Sequence, residues 1–231
     1  MTQYEVAVEG IQARCPDVLS VRFTRPDGYR FRAGQHLGLV LATADGTQTK
    51  RFSFSSATQD TYLEITTRLS GSAFKAALSG LAPGDRVWIT SPAGRLALPL
   101  DEPRVAFLAG GVGITPIISM LASHPRIASQ ERVLIYGNRD ADCVPFTREI
   151  ASLEHHGLRV VHVFETAEEG FAGERGLITP ELVAHHLGPV DGWLFIVAGP
   201  PLMVSAMERC LDALGVDGPR RSIERFGPRA G

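Results

Sequence analysis

Residues 104–121 read RVAFLAGGVGITPIISML, and the cluster Gly110, Gly111, Val112, Gly113 within them is the first candidate for chemistry. It lies between an apolar run and a helix-like segment, with Thr115 placed as an N-cap and Pro116 at the first helical position. Helix N-termini present unpaired N–H groups and partial positive charge, and glycines let a phosphate approach the backbone closely. A dinucleotide pyrophosphate suits such a place. The spacing is not G-x-G-x-x-G, because Pro116 stands where that pattern wants Gly or Ala, and the Gly-Lys-Ser/Thr ending of a P-loop is missing. Taken alone, the glycines serve a ligand loop and a purely structural strand-to-helix turn equally well.

Other reactive residue types point to less. The pairs His155-His156 and His185-His186 are adjacent rather than at the i, i+4 spacing of helical metal ligands, and no cysteine lies close in sequence. They are expected near helix C-termini, where a cation is favoured, and no metal is expected. Cys15, Cys143 and Cys210 are far apart and form no C-x2-C group, so they are expected to be buried or incidental thiols in a reducing compartment.

The elements that must position these groups change character along the chain. From Tyr4 to about Leu98, six strand-like runs (YEVAVEG, VLSVRFT, QHLGLVLA, KRFSFSS, TYLEITTR, RVWIT) are separated by turn signals, predicting a closed or sandwiched antiparallel sheet. SAFKAALSG interrupts them with helical spacing at Phe74, Ala77 and Leu78 and a glycine cap at Gly80. After LPLDEP, five apolar runs (VAFLA, VLIYG, LRVVHVF, WLFIVA, RSIERF) alternate with helical candidates at Pro116–Ser123, Phe146–His155, Pro180–His186 and Pro201–Leu214. That alternation predicts an α/β domain with a five-stranded parallel sheet. The expected division is a β-barrel domain over residues 1–100 and an α/β domain over 101–231.

Composition fits a folded chain of this kind: 231 residues, 44% hydrophobic and 21% charged, enough to bury a full core. A net charge of -2 gives no electrostatic reason to expect nucleic acid or an anionic membrane as partner. No apolar segment approaches the roughly 18 residues of a membrane span, and MTQYEVAVEG lacks the pattern of a signal peptide, so a cytoplasmic location is expected.

An ordered set of motifs resembles those of the ferredoxin-NADP reductase family. GGVGITP, YGNRDADCVPF, AGPPLMV and the terminal IERF are similar to its NAD(P)H-binding half. KRFSFSSA matches the register of its flavin motif R-x-Y-S, and GSAFKAAL followed by PGDRVWITSPAGRLAL resembles its second flavin-phosphate loop. The resemblance implies a barrel that holds FAD and an α/β domain that receives NADPH or NADH, with hydride passing from the nicotinamide to flavin N5.

By the same resemblance Ser53 hydrogen-bonds near N5 and Phe52 packs on the flavin ring or ribityl chain. Lys50 stands where the family has arginine and Phe52 where it has tyrosine, which replaces a bidentate phosphate contact by a point charge. Arg51, Thr67, Arg68, Gly71 and Ser72 complete the candidates for the flavin phosphates. Gly111, Gly113 and Thr115, with Gly199 and Pro200 at the second strand-to-helix turn, are expected to contact NAD(P)H. Asn138 and Arg139 fall where the adenosine ribose binds, and Arg139 as reader of a 2'-phosphate or as a solvated loop residue are both open. Glu224 and Phe226 match the terminal element, an acid that relays protons or orients nicotinamide and a ring near the flavin. Ala198 takes the place of a cysteine that many relatives carry.

The implied activity is a flavin-dependent NAD(P)H oxidoreductase that passes electrons to a separate acceptor, ferredoxin or a similar small carrier, as a monomer or weak dimer. A free-flavin reductase and a non-catalytic flavin- or nucleotide-binding subunit are the alternatives. A piece of a longer reductase would carry the same motifs.

Overall fold

The computed structural model describes residues 2–167, 171 and 173–227. The first half forms one six-stranded antiparallel sheet from β1 (Gln3–Cys15), β2 (Val18–Thr24), β3 (His36–Thr43), β4 (Gly46–Ser53), β5 (Tyr62–Arg68) and β6 (Arg86–Thr90), in the order β4-β3-β6-β1-β2-β5. A bridge between Phe54 and Ile65 brings the two edge strands together and rolls the sheet into a barrel. Alternation of side chains along each strand fills the inside with Phe23, Leu37, Leu39, Phe54, Leu63 and Ile65. Helix α1 (Ala73–Ser79) plugs one end with Phe74 and Leu78, capped at Ser72, whose side chain accepts from the Lys75 N–H. Gly80 closes α1 as expected, in right-handed geometry.

The second half is a six-stranded parallel sheet, not the five-stranded one expected, in the order β10-β9-β8-β7-β11-β12. Its strands are β7 (Arg104–Gly110), β8 (Glu131–Asn138), β9 (Leu158–Phe164), β10 (Glu174–Arg175), β11 (Leu194–Gly199) and β12 (Arg221–Arg225). The extra strand, β10, has two residues and therefore no periodicity to detect. Strands β7, β8 and β11 are buried on both faces, as their continuous apolar runs require. Val105, Phe107 and Ala109 point into a core shared with α2 (Ile114–Ser123) and α3 (Thr147–Glu154). Ala106 and Leu108 point the other way, to α4 (Pro180–Leu187) and α5 (Pro201–Ala213).

Strand order places the crevice. From β7 the sheet grows through β8, β9 and β10 on one side and then resumes on the other with β11 and β12. Loops leaving β7 and β11 at their carboxyl ends diverge there, at the switch point where ligands gather in open α/β sheets.

The halves are joined at several places. The Ser119 hydroxyl on α2 donates to the carbonyl of Ser56 at 2.7 Å, Thr58 N–H donates to Ser123 Oγ at 2.9 Å, and the Gln59 side chain donates to Ala122 O at 2.9 Å. On the other side Arg14 is buried between Glu64 at 3.1 Å and Glu149 of α3 at 2.5 Å, with its guanidinium 4.3 Å from the centre of the Phe146 ring. Beside it Cys15 and Cys143 form a disulfide, Cα to Cα 5.3 Å, which corrects the expectation of separate thiols. Pairing across 128 residues has no signature in spacing, because only the fold brings the two ends together. Cys210 remains a free, buried thiol.

Candidate active site at the meeting of the two sheets

Tracing upward from β4, Ser53 is the last residue of the strand and is buried. Its hydroxyl donates to Glu224 Oε1 at 3.0 Å, joining the end of β4 to β12 in the other half. Burial raises the Glu224 carboxyl above its ordinary value, and the Ser53 hydrogen bond opposes that rise. His36 pairs with Ser53 across the β3–β4 ladder. Burial, with the Arg51 charge adding, lowers the His36 imidazole and so favours its neutral form.

Glu224 is held in place by the parallel ladder that sets it opposite Ala198, and the Phe226 N–H extends the same contact by donating to Gly199 O at 2.9 Å. Ser53, Glu224, Phe226 and Gly199 therefore converge at one end of the crevice.

The glycine loop occupies the neighbouring position. Residues Gly111–Gly113 form a short 3-10 turn that runs directly into α2. The helix starts at Ile114, two residues before the expected Pro116, and its N-cap is Gly113, not Thr115. Thr115 lies inside the first turn and its hydroxyl donates back to Val112 O at 3.1 Å. Pro116 at the third helical position costs no hydrogen bond, because that N–H has no intrahelical partner. Two of the glycines are there for defined reasons. Gly111 has φ +51, and a Cβ on Gly113 would lie 2.2 Å from Ala198 O. The Gly111 carbonyl accepts the buried Tyr136 hydroxyl at 2.9 Å, and burial raises that phenol far above its ordinary value.

Asn138 ends β8 next to this loop, 5% exposed, and neither amide atom meets a partner with good hydrogen-bond geometry. The Asn138 side chain lies beside the buried Tyr136 hydroxyl, at the carboxyl end of a parallel strand, where ligands gather in open α/β sheets. Arg139 is exposed just beyond it, and Pro200, also exposed, caps α5.

On the flavin-motif side, Lys50 and Arg51 are both exposed on β4, facing opposite ways, while Phe52 is buried and stacks on Phe74 at 5.9 Å. Gly71 has open space in front of it. Arg68 is not a free cation: it pairs with Asp17 at 2.5 Å and reaches toward Gly111. The Thr67 hydroxyl accepts from the ammonium of Lys75, which lies within the GSAFKAAL stretch.

Away from the crevice, His185 and His186 lie in the last turn of α4, as the dipole argument expects. His186 Nε2 is 2.7 Å from Glu174 Oε1, and the ligand atoms of Glu174, His185 and His186 lie within 4.8 Å of one another.

Residues 107–209 match the family of the oxidoreductase NAD-binding domain. The chain is 30% identical over 149 residues to NADH-cytochrome b5 reductase 1 of Emericella nidulans, covering 60% of this chain and 48% of that one. It is 26% identical over 209 residues to the flavohemoprotein of Bacillus subtilis, 86% of this chain and 52% of that one. The chain thus spans about half the length of these curated relatives. Among solved structures, a ferredoxin NADP+ reductase from Neisseria gonorrhoeae with bound FAD and NADP superposes with a TM-score of 0.84 at 22% identity, over 97% of this chain and 99% of that one. Residues 107–209 thus match an oxidoreductase NAD-binding domain, and the two halves together share the fold of that ferredoxin NADP+ reductase.

Proposed function

We propose that the chain is a flavin-dependent NAD(P)H reductase whose barrel, over residues 1–100, holds FAD and whose α/β domain, over residues 101–231, receives NADPH or NADH. The observation that carries this reading is the 3.0 Å hydrogen bond from Ser53 to Glu224, because it puts a hydroxyl of the barrel and a carboxyl of the α/β half at one point beside Gly199. The residues present fit the two groups. Open space at Gly71 and the left-handed Gly111 at the start of the strand-to-helix turn suit a dinucleotide.

When bound, the flavin supplies hydride acceptance and one-electron release, chemistry that no side chain here provides. The side chains align and tune. Ser53 presents its hydroxyl where the reactive edge of the ring belongs. Glu224, its carboxyl raised above the ordinary value by burial, accepts from Ser53 Oγ and in this reading exchanges a proton with it. Phe226 is anchored at the same end of the crevice through its backbone N–H. The exposed Arg139, just beyond Asn138, is the candidate in this reading for a 2'-phosphate contact that would favour NADPH.

The acceptor in this reading is a separate one-electron carrier, a ferredoxin or a small haem protein. The similarity to NADH-cytochrome b5 reductase supports the haem carrier. No helix among the described residues is long and apolar enough to cross a membrane. A visible spectrum of the purified protein, repeated anaerobically with NADH or NADPH, tests the proposal. Bound flavin that bleaches with one coenzyme is the expected result, and Ser53→Ala slows that bleaching at least about tenfold with flavin retained. Flavin that stays oxidised with both coenzymes refutes turnover and leaves a binding subunit. The exposed Lys50 in place of arginine favours a second reading, a reductase of free flavin, which predicts a colourless protein that reduces added flavin.

A further inference from the structure

We propose that Glu174, His185 and His186 form a binding site for a divalent transition cation of the zinc class, which ties the edge strand β10 to the end of α4. The site lies away from the crevice and is independent of the flavin reading. His186 Nε2 stands 2.7 Å from Glu174 Oε1, and the ligand atoms of the three residues all lie within 4.8 Å of one another. Two imidazoles and a carboxylate are a donor set that selects zinc and its neighbours over magnesium or calcium.

Spacing in the sequence conceals the arrangement. Adjacent residues of a helix are turned about 100° apart around its axis, which ordinarily separates their side chains. In the last turn of α4, however, the rings of His185 and His186 meet edge to face, with 4.9 Å between centres and 78° between planes. The third donor comes from another element. Strand β10 is held on β9 by the pairs Glu174–Val163 and Arg175–Phe164, and from that position Glu174 reaches His186.

A tetrahedral metal about 2.0–2.1 Å from each donor holds its donors about 3.3 Å apart. The 2.7 Å contact then opens by about 0.6 Å and the widest donor pair closes by at most about 1.5 Å, which side-chain rotation supplies in residues that are exposed or half-buried. His185 is exposed, so water can take the fourth position. The cation gains from the full charge of Glu174 and from the partial negative charge at the carboxyl end of α4. Of the arginines nearby, Arg159 donates to the His186 carbonyl at 2.6 Å and has Glu131 at 3.7 Å, and Arg175 donates to Phe171 O at 3.1 Å. A plain ion pair between His186 and Glu174 leaves His185 aside: among the described residues its ring makes no hydrogen bond or ion pair, only the contact with His186. The role of His185 therefore separates a metal site from an ion pair.

The test titrates chelator-treated full chain with Zn2+ by calorimetry, with Mg2+ for comparison, and reads the coordination shell by X-ray absorption at the zinc edge. Wild type is expected to take one Zn2+ with two imidazoles in its shell and to ignore Mg2+. His185→Ala, His186→Ala and Glu174→Gln are each expected to weaken Zn2+ binding by about 10- to 100-fold or more, while a His155→Ala/His156→Ala variant keeps it. With free Zn2+ at about 100 times the dissociation constant, the wild-type melting midpoint should rise by about 5–10 °C, and that of His185→Ala by far less. Wild type that binds no Zn2+, or binding that His185→Ala leaves unchanged, overturns the site. Sulfur in the zinc shell overturns it as well, because these three residues supply none.

Discussion

Reducing the Cys15–Cys143 disulfide is the most direct perturbation of how the two halves are held together. The bridge closes a loop of 128 residues, and the entropy of an unfolded chain freed from such a closure corresponds to roughly 5 kcal/mol in the loop-entropy treatment. Native bridges typically contribute about 2–5 kcal/mol, so the loss on reduction is expected in that range. For a chain of 231 residues, where each kcal/mol shifts the melting point by about 2–4 °C, the drop is of order 5–20 °C. Guanidinium and thermal unfolding of the Cys15→Ser/Cys143→Ser double variant against wild type measure it, with thiol titration as a companion. Unreduced, denatured wild type should release one thiol, Cys210, and three after reduction. Three thiols before reduction, or identical midpoints for variant and wild type, would refute the reasoning.

The buried network beside that bridge separates strong from weak ion pairs. Glu64 is 3% exposed and engages Arg14, Arg22 and Ser55, so Glu64→Ala strands a buried guanidinium and should cost about 3–5 kcal/mol in urea unfolding. Glu149 meets the same arginine but is 39% exposed, and Glu149→Ala should cost about 1 kcal/mol or less. Gly113→Ala drives a methyl group into the Ala198 carbonyl and should destabilise by at least about 1–3 kcal/mol by the same assay, while Gly71→Ala, with open space, should not. The raised Glu224 carboxyl means that the folded state holds its proton above the pH where the unfolded chain loses it. Its contribution is therefore full at low pH and declines as pH rises from the ordinary 4.5 through the raised value, and Glu224→Gln should flatten that decline in unfolding midpoints measured across this window.

The barrel strands were legible because each is a short alternating run bounded by turn residues, and β7, β8 and β11 because strands buried on both faces are continuously apolar. What escaped depends on distance or on very short elements. The two residues of β10 carry no period. Arg14 and Glu64 look like solvated charges on strands until α3 is packed over them. Thr115 has the right residue type for an N-cap, but the 3-10 turn starts the helix earlier and turns its hydroxyl into a donor. Of the candidate site residues, Ser53 and Glu224 lie 171 positions apart, and only a motif resemblance could nominate them together.

The buried phenol of Tyr136 fixes more than one hydrogen bond. By gripping the carbonyl of Gly111, it locks the peptide plane of that residue in its left-handed turn, and the rest of the loop is held between β11 and the start of α2. A loop already frozen in its receiving shape loses little conformational freedom when an anion arrives, so the ordering penalty falls on folding and not on association. On the proposed function, coenzyme affinity at this end would be insensitive to loop flexibility, and discrimination between coenzymes would fall to the exposed rim around Arg139.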